Sequence, residues 1–88
     1  MNSSLDKVPE PTRVRFSEAT MWVELSDGRT LGLPLAWYPR LNGASDKALS
    51  DHFLSPSGIH WDTLDEDLSV RGMLLGLKDG TFLPANAA

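Results

Sequence analysis

From Arg13 onward the apolar residues recur at every second position: Val14 and Phe16, then Met21, Val23 and Leu25, then Leu31, Leu33 and Leu35. A period of two gives each segment one buried side and one wet side, which is the pattern of half-buried strands. The two breaks divide the run into three strands of an antiparallel meander. For the second hairpin, a two-residue turn at Asp27-Gly28 would set Glu24 opposite Leu31 and mix the faces. A three-residue loop, Ser26-Asp27-Gly28 with Gly28 at positive φ, instead sets Val23 opposite Leu31 and Met21 opposite Leu33. It also lays the Trp22 ring beside Gly32 on the other face. For the first hairpin, a turn around Ala19-Thr20 pairs Phe16 with Val23 and Val14 with Leu25, and places Arg15 opposite Glu24 outside. Pro34 cannot donate to a ladder, so the third strand ends near it or lies at an edge.

Beyond the meander the period of two is lost. Trp37-Tyr38-Pro39-Arg40-Leu41 reads as a crossover with one helical turn, and Ser45 is the expected N-cap of a brief helix through about Leu49. The stretch from Asp51 to Ser55 could extend that helix or form a fourth strand, and the strand is the preferred reading because Pro56 and Gly58 break the chain soon after. Ser69 should cap a last helix over Val70 to Leu75, with Gly76 at its C′ position. Lys78-Asp79-Gly80 reads as a turn, and Phe82-Leu83 as a short docking segment. The expected fold class is therefore α+β: a small antiparallel sheet, made of the N-terminal three-stranded meander and an extra strand, with two short helices packed on it. Residues 1–11 are polar and hold Pro9 and Pro11, so they are expected to be a mobile lead-in, with one domain over 12–83 and a frayed tail over 84–88.

Composition narrows the chemistry. Eighty-eight residues make one domain with little surplus burial, so most of the three Trp, three Phe and one Tyr are needed against the core. Cysteine is absent, which removes disulfides, zinc-thiolate sites and thiol nucleophiles. The N-terminus has no apolar leader, and no stretch approaches the roughly 18 apolar residues of a membrane span, so a cytoplasmic protein without membrane contact is expected. Twelve acids against eight bases give a net charge of -4. The bases are scattered, so direct nucleic-acid binding is not expected. Four of the acids, by contrast, fall between Asp62 and Asp67.

Those acids belong to a distinctive block, Gly58-Ile59-His60-Trp61 followed by Leu64-Asp65-Glu66-Asp67-Leu68-Ser69. Together with Asp27-Gly28-Arg29, Leu33-Pro34-Leu35 with Trp37, and Pro39-Arg40-Leu41, it resembles the bacterial family called domain of unknown function 2442, over about Val14 to Gly76. The resemblance implies a small antiparallel sheet with helices packed on it. It also implies two associations: some members carry an added helix-turn-helix region that would read DNA, and some lie beside a second small family in pairs proposed to be toxin-antitoxin modules. This chain has Asp62 where many members have proline, and because the sequence stops soon after its last helix, the DNA-reading role is not expected of it.

His60 has the chemistry of a general base, with Asp62 or Asp65 to orient it. No nucleophile or pocket accompanies it in the sequence, and the alternative is a hydrogen-bonded structural histidine or a surface contact. His52 and His60 stand eight apart on different elements, and Asp62, Asp65, Glu66 and Asp67 lack calcium-loop spacing, so neither a metal nor a cofactor is expected. The acids have two readings: they favour the positive N-terminal end of the Ser69-capped helix, or they form a face for a basic partner. Trp61 is either a core anchor or a contact on that face. The expected function is a non-enzymatic protein-interaction domain, antitoxin-like toward a small basic toxin. Its surface candidates are His60, Trp61, Asp62, Asp65, Glu66 and Asp67. A transcription regulator or its accessory subunit is the alternative, and an uncharacterised enzyme using His60 the third reading.

Overall fold

The alternating segments form strands, and they do so twice over. In the computed structural model, which describes residues 8–78, β1 (Pro11–Ser17), β2 (Thr20–Leu25) and β3 (Thr30–Pro34) make an antiparallel sheet in the order β1-β2-β3. A second sheet, in the order β4-β5-β6, is made of β4 (His52–Ser55), β5 (Gly58–Trp61) and β6 (Glu66–Ser69). A 3-10 turn at Leu35–Trp37 and the helix α1 (Asp46–Ser50) connect the sheets, and α2 (Val70–Leu74) follows the last strand. The α+β class and the two short helices are as expected, and the extra strand is β4. It joins β5 and β6 rather than the first meander. The turn at Lys78-Asp79-Gly80, the Phe82-Leu83 segment, the C-terminal tail and most of the N-terminal lead-in lie outside the described residues. β1 begins at Pro11, which is buried and opposite Leu25.

The second hairpin has the expected register, with Met21 opposite Leu33, Trp22 opposite Gly32 and Val23 opposite Leu31. Gly28 has φ 93°, and the Leu25 N–H donates to the Arg29 carbonyl across the loop at 2.8 Å. Gly32 is bare for a reason of space: a Cβ there would lie 2.6 Å from Cζ3 of Trp22. The first hairpin differs from expectation by two residues, pairing Phe16 with Met21 and Val14 with Val23, and Arg15 with Trp22. Glu18 and Ala19 both take positive φ, 52° and 61°, in a two-residue turn between Ser17 and Thr20. Such a turn matches the twist of the strands, but it normally carries Asn-Gly. A slip of two residues keeps every side chain on its face, so hydrophobic alternation alone could not exclude it. Arg15 still reaches Glu24 diagonally, Nε to Oε2 at 3.5 Å.

One apolar cluster serves both sheets. Met21, Val23, Leu25 and Leu33 come from the first, Ile59, Trp61 and Leu68 from the second, with Leu35, Tyr38 and Leu41 from the crossover, Leu49 from α1, and Val70 and Met73 from α2. Leu64 packs at its margin. Leu74 is 38% exposed. A helix of five residues presents one narrow seam to the sheet, and Val70 and Met73, three apart, fill it. Both helix caps stand where expected. The Ser45 Oγ accepts from the Ala48 N–H, and the Ser69 Oγ from the Gly72 N–H. At the C-terminus of α2, the Gly76 N–H donates to the Met73 carbonyl and the Leu77 N–H to the Gly72 carbonyl, a Schellman closure with Gly76 at φ 76°.

Because Glu18 and Ala19 occupy a conformation that favours Asn and Gly, the double substitution Glu18→Asn, Ala19→Gly should stabilise the domain by about 1 kcal/mol. Thermal unfolding of the variant measures it, and a lowered midpoint would contradict the two-residue turn.

Candidate functional site

Strand alternation sorts the residues of the distinctive block onto two sides of the second sheet. Cross-strand pairing sets Phe53, His60 and Asp67 in one row and His52, Trp61 and Glu66 in the next. Neighbouring rows face opposite ways. The Trp61 row, with Ile59 and Leu68, faces the core, and the His60 row faces outward. Trp61 is 1% exposed, and its Nε1–H donates to the Leu49 carbonyl at the end of α1, at 3.0 Å. His52 Nδ1 donates to the same carbonyl at 3.0 Å, and its ring lies 5.9 Å from that of Trp61. Trp61 is therefore a core anchor, and it drops out of the surface candidates.

Glu66 drops out as well. It was expected to be exposed with its acidic neighbours, but it shares the inward face with Leu68 and is 6% exposed. Burial raises its pKa above the ordinary glutamate value, an effect opposed by the positive charge of Arg40. Tyr38 is affected in turn. Burial first, and then the charge of Glu66, push its pKa up to about 12, and its hydroxyl has no hydrogen-bond partner among the described residues.

Asp62, Asp65 and Asp67 are the acids that remain exposed. Asp62 and Asp65 belong to the four-residue connection from β5 to β6, where the Asp65 N–H donates to the Asp62 carbonyl and Asp65 has φ 52°. Arg40, from the crossover, holds this connection by donating from Nη1 to the Asp65 carbonyl, with the Asp65 carboxylate at 3.5 Å. The side chain of Asp65 is nevertheless 96% exposed. No acid lies in the first turn of α2. The helix-dipole account of the acidic block is thus corrected: β6 intervenes between Asp65 and the helix.

His60 makes a hydrogen-bonded chain across three strands. Its Nδ1 lies 2.7 Å from Oδ1 of Asp67 on β6, and its Nε2 lies 2.6 Å from the Ser55 Oγ on β4. An ionised carboxylate only accepts, so Nδ1 carries a proton and donates to Asp67, and whenever the ring is neutral its Nε2 accepts from the Ser55 hydroxyl. The Phe53 ring stacks on the imidazole at 5.1 Å between centroids. Asp67 orients the ring, where Asp62 or Asp65 was expected to. Ser55 was not among the sequence candidates. The usable signal was the Pro56-Ser57 turn, since a two-residue hairpin loop pairs Ser55 with Gly58 and so sets it diagonal to His60. His52 faces the core and His60 faces out, so the two histidines do not share a site.

These features define a small α+β domain of two three-stranded meanders with a polar row on the outside of the second. The chain belongs to the family described as protein of unknown function (DUF2442), which it matches over residues 11–79. It is similar to a protein of unknown function from Rhodospirillum rubrum known from a crystal structure, with 34% identity, a TM-score of 0.69, and coverage of 80% of this chain and 89% of that one. The fold also resembles the solution structure of an uncharacterised protein from Chromobacterium violaceum, with 23% identity, a TM-score of 0.68, and coverage of 78% and 67%. No curated protein matches the chain. Among the described residues no helix is long and apolar enough to cross a membrane.

Truncating Trp61 removes both its ring and its hydrogen bond to Leu49, so Trp61→Ala should cost about 3 to 5 kcal/mol in denaturant unfolding. A midpoint near that of the parent would contradict the core assignment. Glu66 has a folded pKa above its unfolded one, so its contribution is fully present below the unfolded value and is lost as pH rises through the folded value. Glu66→Gln should therefore be more stable than the parent at neutral pH, with the difference shrinking as the pH falls. Unfolding curves across that range check the sign.

Proposed function

We propose that this domain is a non-enzymatic cytoplasmic protein-interaction domain whose partner is a basic protein, in the manner of an antitoxin that covers a small basic toxin. The observation that carries the reading is the outward row Phe53-His60-Asp67, next to the connection that holds Asp62 and Asp65. Phe53 is 50% exposed and lies at one end of that row. An exposed aromatic ring with three exposed carboxylates nearby, of which Asp65 is paired with Arg40, combines an apolar contact with a surface of mainly negative sign, which suits a basic partner. Arg13 and Arg15 belong to the other sheet, on β1, and both lie within 4.0 Å of Glu24. The negative rim is therefore not offset by these bases.

The charge-reversal test must avoid Glu66, which is buried, and Asp67, which holds His60. The double variant Asp62→Lys, Asp65→Asn keeps a residue that tolerates positive φ at Asp65 and should fold as the parent does. With tagged protein used to isolate the partner from the native host, association of the purified pair should weaken with salt through a slower on-rate, and the double variant should bind more weakly still. Unchanged affinity in the variant would remove the electrostatic interface. Tight, salt-sensitive binding of the parent to duplex DNA would remove the whole reading in favour of a transcription regulator.

A further inference from the structure

We propose that Ser55 is a nucleophile primed by His60 and Asp67, and a site of covalent acylation by activated acyl donors, the chemical class of thioesters, acyl phosphates and aryl esters. The three side chains come from three adjacent strands and have the connectivity that activation needs, with the Ser55 Oγ 2.6 Å from Nε2 and Asp67 2.7 Å from Nδ1. Asp67 as acceptor keeps the proton on Nδ1, which leaves the Nε2 lone pair directed at the hydroxyl. The imidazole cannot turn freely, because Phe53 stacks on it and the carboxylate holds its far side. The side chain of His60 is 15% exposed and Ser55 is half-buried, whereas Asp67 is 61% exposed. The carboxylate is thus in water while the reacting pair is partly covered, which suits a small donor with its own good leaving group rather than an amide or alkyl ester.

In the step itself, the Ser55 Oγ attacks the acyl carbon while its proton passes to Nε2. The bond to the leaving group breaks, and the leaving oxygen or sulfur takes the proton back from Nε2. The products are one ester on Ser55 and one free thiol, phosphate or phenol according to the donor, with the imidazole neutral again. Ser55 and His60 carry the reaction, and Asp67 is a positioning residue. This inference is independent of the proposed partner, because it requires only the folded domain and the donor.

The test uses p-nitrophenyl acetate with the whole chain at mildly alkaline pH, reading intact mass and the modified peptide. One acetyl group should appear on Ser55, while Ser57, two residues away in the same turn, stays unmodified. Ser55→Ala should abolish the adduct, and His60→Gln should slow it by at least about tenfold. Asp67→Ala should slow it as well, and Asp67→Glu, which returns a carboxylate to the ring, should recover most of the rate. Far-ultraviolet circular dichroism identifies variants that fold. Acetylation spread over lysines with Ser55 untouched would overturn the proposal, as would labelling of Ser55 at an unchanged rate in a folded His60→Gln variant. Aryl alcohol released beyond one equivalent per chain would support the primed serine while overturning the non-enzymatic reading.

Discussion

The packing of Trp61 is the contact on which the second half of the molecule depends. Its ring fills the core side of β5, and its Nε1–H ends on the Leu49 carbonyl, which α1 leaves without a partner at its C-terminus. One side chain thus satisfies a buried donor and ties a helix to a sheet that comes later in the sequence. With Trp61 inward, alternation forces Ile59 and Glu66 to their places, and it forces His60 and Asp67 to the outside. The outward row exists because the inward one is fixed.

The same constraint explains the costly group in the core. Glu66 lies opposite Trp61 on β6, so it can leave the interior only if the whole strand changes register. Its carboxylate is kept in a site where burial disfavours the charge, with the charge of Arg40 to reduce the cost and the Tyr38 hydroxyl left without a partner among the described residues. Arg40 has a second task in holding the connection through Asp65. The Pro39-Arg40-Leu41 segment and the acidic block, far apart in sequence, therefore act as one unit: Leu41 sits in the core, and Arg40 bridges to the turn that presents Asp62 and Asp65.

The outer surface combines two kinds of chemistry. The half-exposed Phe53 ring and the exposed Asp67 carboxylate share the outer face of the second sheet with a hydrogen-bonded chain of Ser55, His60 and Asp67. The exposure of Asp67 matters physically. A carboxylate in contact with water is screened, and what Asp67 supplies is a hydrogen bond to Nδ1 that orients the imidazole. A buried site would use the same three groups with much greater effect.

The sequence alone determined the class of the fold, the second hairpin down to its register, both N-caps and the glycine that ends α2. Each of these is a local rule: alternation, a loop length that keeps faces consistent, a hydroxyl before a helix, a residue free to take positive φ. Tertiary structure decided the rest. The first hairpin slipped by two residues because alternation does not register an even shift and Glu18-Ala19 carries no turn signal. The block from Asp62 to Asp67 read as one acidic run, but a four-residue connection and then a strand divide it, sending Glu66 inward and leaving Asp62, Asp65 and Asp67 in water. Ser55 became a partner of His60 only when β4 paired with β5. The Pro56-Ser57 turn was its local signal, but that signal becomes legible only once Gly58–Trp61 is known to be a strand that pairs back on β4.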